Sequence, residues 1–304
     1  MSNQSEGSAQ PERLPEDRNW IDSTGLDRRK LLMSGAFAAG FAAACRPVSS
    51  SAVQTSGEGL TQETVSIRAS DGFVMPAYVA RPEGTKKRPI IVVVHEIFGV
   101  HEWVRDMCRR FAREGYYAIA PDLFARHGDA TKIADIKQLV SSIVSKAPDA
   151  QVLADIDTTY AWAGSHGGDA ARRGITGFCW GGRVVWLYAA HSAQLDAGVA
   201  FYGRLVSEKT ALQPLSVIEQ AGALKAPVLG QYGGLDKGIP LADVEAMRVA
   251  LKKAGKSPPD EITVYPEADH GFMADYRPSY NEAAANAAWK ATLEWFGRYV
   301  KGGK

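Results

Sequence analysis

The sequence predicts an α/β fold in which a mostly parallel, doubly wound sheet is covered by helices on both faces. Two observations lead there. From Glu63 onward, short unbroken apolar runs bounded by Gly, Pro or Asp alternate with helix-length amphipathic stretches, the rhythm of strands buried on both sides. No internal repeat or low-complexity block interrupts residues 60–300, so one domain accounts for all of them. A chain of 304 residues with 45% apolar content can build the large core that such a sheet needs.

The first 45 residues stand apart from that pattern. Residues 1–27 are polar and rich in Gln, Glu, Ser and Pro, and Arg28-Arg29-Lys30 then precedes a mildly apolar segment, Leu31 to Ala44, too short to span a bilayer. Ala42-Ala43-Ala44 offers small residues for cleavage. The order resembles a twin-arginine leader, which would engage the Tat export machinery and place the protein in the periplasm or outside the cell. The same residues also read as a disordered N-terminus followed by a short core helix. Small residues before Cys45 resemble a lipoprotein box and would put a lipid anchor on that thiol, although Ala42 stands where a branched residue is usual. Residues 46–60 form a Ser/Gly linker, leaving 61–304 for the fold.

Within the fold, "ETVSIRAS" and "GFVMPAYVAR" alternate as half-buried strands do, and Asp71-Gly72 between them signals a hairpin. The buried strands follow as "RPIIVVVHE", "GYYAIAPDL", "GITGFCW", "DAGVAFYG", "APVLGQYGG" and "EITVYP". Helices are expected at "EWVRDMCRRFAREG", "TKIADIKQLVSSIVSK", "DAQVLADIDTTYAWAGSH", "GRVVWLYAAH", "LADVEAMRVALKKAG" and "NAAWKATLEWFGRYV".

Charge and cysteine content exclude several classes. Lys+Arg at 35 against Asp+Glu at 34 leaves +1, with no basic stripe to follow a phosphate backbone, so nucleic acid is not expected as a partner. Cys45, Cys108 and Cys179 show neither a CxxC pair nor zinc-ligand spacing, so no disulfide framework, metal or other cofactor is implied.

Cys179 has a more specific setting. "G-F-C-W-G" places it between glycines, after a buried strand and before the helix "GRVVWLYAAH". A sharp strand-to-helix turn holds its central residue in a strained conformation at the sheet's carboxyl edge, and flanking glycines make that turn sterically possible. Cys179 is therefore read as a nucleophile, its thiolate favoured by the helix N-terminus. The alternative is a buried cysteine acting as a small hydrophobe, which better suits Cys108 in "RDMCRR". A nucleophile in this position predicts a later acid and then a histidine. Asp236 in "GQYGGLDKGIP" and His270 in "YPEADHGFM" supply them, each in a loop after a buried strand.

With those residues placed, residues 60–300 resemble the dienelactone hydrolase family (carboxymethylenebutenolidases), α/β-hydrolases with a Cys-Asp-His triad. The matching motifs are "VVVHEIFGV", "APDLFAR", "GFCWGG", "YGGLD" and "DHGF", in the family's order. The resemblance implies Cys179 as nucleophile, Asp236 as orienting acid, His270 as general base and Glu96 as a carboxylate meeting the resting thiol. It also implies an oxyanion hole from the Ile97 and Trp180 N–H groups, and Arg126 as the holder of a substrate carboxylate. The family's second carboxylate-binding arginine is replaced by Ala274; Arg277 and Lys237 are nearby substitutes. The implied substrate is a small ester or lactone, with a less selective exported esterase and a non-catalytic ligand-binding homologue as the other readings. For Glu96 the residues alone also allow a loop carboxylate facing a helix N-terminus.

Overall fold

The computed structural model describes residues 54–256 and 262–302. The expected leader and Cys45 lie outside the described residues. Among those described, no helix is long and apolar enough to cross a membrane.

Eight strands form one sheet. In chain order they are β1 (Leu60–Arg68), β2 (Val74–Pro82), β3 (Arg88–Val94), β4 (Tyr117–Pro121), β5 (Gly168–Phe178), β6 (Ala197–Phe201), β7 (Val228–Gly233) and β8 (Ile262–Tyr265). The main helices are α1 (Glu102–Arg113), α2 (Ile136–Ser142), α3 (Asp149–Ser165), α4 (Trp180–His191), α5 (Leu241–Ala254) and α6 (Glu282–Phe296). The spatial order is β1-β2-β4-β3-β5-β6-β7-β8, with β1 and β2 antiparallel to their neighbours and β4 through β8 parallel.

Burial explains the pattern. Residues 89–94 of β3 and all of β4, β6 and β7 are buried, which only a sheet covered on both faces allows, whereas β1 is exposed over most of its length at the edge. The Asp71-Gly72 hairpin forms as expected, with Gly72 at φ 86° and the Asp71 side chain accepting from the Phe73 N–H at 3.0 Å. The stretch "TKIADIKQLVSSIVSK" does not form a single helix. The Asp129 and Asp135 side chains accept from the Thr131 and Gln138 N–H groups, starting two separate turns, and Ile143 leaves helical geometry at φ −122°, ψ −64° with its side chain buried.

Chain order sets where chemistry can occur. After β3 the strands proceed outward to one side through β4, and from β5 onward to the other. The sheet's winding therefore reverses between β3 and β5, which opens a crevice at their carboxyl ends. Glu96 leaves one side of it and Cys179 the other.

Candidate active site

Cys179 sits between β5 and α4 at φ 55°, ψ −113°, one of two non-glycine residues described with positive φ. Such a conformation costs about 1–3 kcal/mol and survives only where packing imposes it. Here glycines do so. A Cβ on Gly177 would lie 2.3 Å from the Gly181 carbonyl oxygen, one on Gly181 2.4 Å from that of Val94, and one on Gly182 2.3 Å from that of Phe201. Side chains at those points would force β5, α4 and β6 apart. The Cys179 N–H donates to the Phe201 carbonyl at 3.0 Å, tying the turn to β6. The buried Cys179 thus stands at the N-cap of a twelve-residue helix.

Asp236 and His270 meet beside it. The Asp236 Oδ2 accepts from His270 Nδ1 at 2.7 Å, while its Oδ1 takes the Gly238 and Ile239 N–H groups at 2.8 and 3.2 Å. With both carboxylate oxygens engaged, the imidazole is held with its other nitrogen toward Cys179. Burial works against a charged His270, but the charge on the Cys179 sulfur and hydrogen bonds to Asp236 and Cys179 outweigh it and raise its pKa to about 10. The arrangement sets a cysteine, an imidazole and an orienting carboxylate in one row.

Glu96 has other partners. Its Oε2 accepts from the Tyr276 hydroxyl at 2.6 Å and from Arg277 at 2.8 Å, and His101 Nε2 lies 3.8 Å away. Glu96 and Arg277 are both fully buried. Burial would raise the Glu96 pKa, but the Arg277 charge, the neighbouring His101 imidazole and the Tyr276 hydrogen bond dominate and lower it to about 2. The carboxylate is accordingly a fixed anion with its own cation. Arg277, a candidate for the missing second arginine, is committed to this pair, while Ala274 is fully buried.

Arg126 is also engaged. Its guanidinium binds Asp71 through Nε and Nη2, each at 2.9 Å, and Asp155 through Nη1 and Nη2 at 2.6 and 3.0 Å, over the ring of Phe73. The structure brings Arg126 to the hairpin and α3, and does not join it to Cys179 or His270. Among the described residues no group of three or more His, Cys, Asp or Glu side chains is placed to hold a metal ion.

With this geometry in view, comparison with known proteins is decisive. The dienelactone hydrolase family model matches residues 75–300. The chain belongs to that family. It is 49% identical over 284 residues to a Methylorubrum extorquens protein provisionally named carboxymethylenebutenolidase, covering 93% of this chain and 96% of that one. An Escherichia coli K12 protein with the same provisional name is 52% identical over 266 residues, 87% of this chain and 96% of its own. The crystal structure of a provisionally named dienelactone hydrolase from Klebsiella pneumoniae is 54% identical, with a TM-score of 0.76 over 79% of this chain and 99% of that one. As a dienelactone hydrolase family member with the matching α/β-hydrolase fold, the protein is a carboxylic ester hydrolase.

Within this dienelactone hydrolase framework, three neighbours of the site escaped the sequence reading. Tyr202 has φ 36°, its ring lies 5.0 Å from that of His270, and its buried hydroxyl has no hydrogen-bond partner among the described residues. Arg204, two residues on, is half-buried within electrostatic range of Cys179, Asp243 and Glu208. Tyr276 completes the Glu96 pair. The available signal for the first two was position: "FYGRL" follows β6, another strand ending at the same carboxyl edge. Nothing in "DYRPSY" distinguishes Tyr276 and Arg277 from ordinary loop residues.

Proposed function

We propose that the protein cleaves ester or lactone bonds through a thioester on Cys179. The observation carrying this reading is the strained Cys179 at the start of α4, backed by the His270–Asp236 pair. The thiolate attacks the carbonyl carbon, forming a C–S bond as the carbonyl π electrons move to oxygen. That oxyanion is met by the Ile97 and Trp180 N–H groups, and when it collapses the alkoxide leaves with the proton of the His270 imidazolium. Water then gives a proton to His270 as it attacks the thioester, the C–S bond breaks, and the acid departs from a regenerated thiolate. In a lactone the two products remain one molecule. Rapid quenching of a p-nitrophenyl ester reaction, followed by peptide mass spectrometry, should find the acyl group on Cys179. Cys179→Ala should lose both adduct and turnover. Parent-level hydrolysis by Cys179→Ala sinks the reading.

The substrate is proposed to carry a carboxylate. With Arg126 held by Asp71 and Asp155, the observation favouring this is half-buried Arg204 in the loop that follows β6, at the same carboxyl edge as Cys179. A charge-assisted contact contributes roughly 1.5–3 kcal/mol, or about ten- to a hundred-fold in rate. Arg204→Met should slow carboxylated esters by that factor and spare their methyl esters, whereas Arg126→Met should affect both alike. Equal losses on both substrates with Arg204→Met favour the second reading, a general esterase, which Ala274 also motivates.

Export is proposed from Arg28-Arg29 ahead of a short apolar segment. Replacing both arginines with lysine should leave the precursor in the cytoplasm on fractionation; unchanged localisation removes the proposal.

A further inference from the structure

His95 takes no part in the proposed chemistry, yet it is fully buried at the end of β3, between the loop that carries Ile97 and the ring of Trp180. Its two ring nitrogens are both used. The Leu123 backbone N–H points at Nε2 at 3.1 Å. An amide N–H only donates, so Nε2 accepts and the ring proton belongs to Nδ1. That Nδ1–H donates to the Glu96 carbonyl at 2.6 Å. Burial lowers the His95 pKa, which keeps the ring in this neutral form. Stacking on Trp180 at 5.5 Å and 16°, with an edge contact to Phe124 at 4.7 Å, prevents the ring from turning.

The Glu96 carbonyl shares a planar peptide with the Ile97 N–H, and in a trans peptide the two point in opposite directions. Whatever fixes the carbonyl therefore fixes the amide. The other donor to this carbonyl, the Gly99 N–H, is 3.4 Å away, where a hydrogen bond is weak, so the imidazole is the main restraint. The two peptides that precede it lie against the elbow: a Cβ on Gly181 would come within 2.4 and 2.6 Å of the Val94 and His95 carbonyl oxygens. We propose that His95 is a positioning residue that aims the Ile97 N–H at the oxyanion formed on Cys179. The inference rests on the nucleophile reading above.

Two substitutions divide the ring's duties. His95→Asn keeps an N–H where Nδ1 is and loses the acceptor for Leu123. His95→Gln keeps an oxygen where Nε2 is and loses the donor to Glu96. Removing an oxyanion donor outright costs about a hundred- to a thousand-fold in kcat, and misdirecting one should cost roughly ten- to a hundred-fold. His95→Gln should therefore lose that much in kcat with KM little changed, while His95→Asn loses no more than about three-fold. Alkylation of Cys179 by iodoacetamide is a displacement that creates no oxyanion, so its rate should hold in both variants. Equal losses in the two, no loss in either, or an alkylation rate that falls with turnover overturns the proposal. The nucleophile reading fails separately if the parent stays active after Cys179 is fully alkylated, and the inference falls with it.

Discussion

Asp236 and Glu96 are both buried carboxylates at the carboxyl edge of the same sheet, but the first faces an imidazole and the second a guanidinium. In the proposed mechanism that difference separates a group that serves proton transfer from one held by a fixed cation. An imidazolium can surrender its proton within a catalytic cycle, and the carboxylate beside it sets which nitrogen does so. A guanidinium cannot, so Glu96 stays charged, and through Oε2 it joins the loop after β3 to the loop after His270. Two like residues are thus given different work by their counter-ions.

The comparison is broken most severely at the triad. Asp236→Asn leaves the shape but removes the charge that orients His270, and should lower kcat by about ten-thousand-fold. Glu96→Gln should lower it by less than about ten-fold, because a fixed anion contributes alignment and no proton. Steady-state kinetics on one ester decides this, and a Glu96→Gln loss as large as that of Asp236→Asn would erase the distinction. The next largest effect is on folding. Arg277→Met leaves Glu96 charged in the interior without its guanidinium, which should cost about 3–5 kcal/mol in urea unfolding, and the double variant Glu96→Leu/Arg277→Met should recover most of it. If the double variant is no more stable than Arg277→Met, the pair does not stand as an isolated buried ion pair.

A finer test uses pH. Glu96 is lowered from 4.5 to about 2, so the stability that its ionisation contributes is present above pH 4.5 and is lost as pH falls toward 2. His270 is raised from 6.5 to about 10, so its contribution is present below pH 6.5 and is lost as pH rises toward 10. The stability gap between parent and Glu96→Gln, roughly 3 kcal/mol at neutral pH, should therefore close on the acid side. The gap between parent and His270→Gln should close on the alkaline side. Gaps that close at the same end would contradict the assignment. The smallest effect is expected at Arg126→Met, where half-exposed Asp71 loses little and buried Asp155 loses a partner, for about 1–2 kcal/mol in thermal unfolding.

Much of this was legible in the sequence where a local rule decides it. The alternation of buried runs and amphipathic stretches predicted the sheet, and "GFCWG" predicted the elbow because glycine spacing and backbone strain are read directly from adjacent residues. Asp236 and His270 followed from chain order. Long-range pairing was not legible. Glu96 meets Arg277 across 181 positions, and Arg126 meets Asp71 across 55, choices made by packing that no neighbouring residue announces. The broken helix over 131–146 is a local miss. Asp135 was a cap residue inside a pattern whose period suggested continuity, and Asp129 caps a separate turn that takes up its first residues.

The glycine contacts around Cys179 have one more consequence. Every constraint at the elbow falls on the backbone: the positive φ, the carbonyl oxygens pressed against Gly177, Gly181 and Gly182, and the Phe201 bond to the Cys179 N–H. None of them depends on the atom at the end of the Cys179 side chain. The position is a socket, made by the scaffold and indifferent to what is plugged into it. In the proposed mechanism sulfur acts as the anion that faces His270, whereas a hydroxyl in the same socket would leave His270 with Asp236 alone. The side chain at this one residue can therefore be exchanged, while the three glycines that frame it tolerate no side chain.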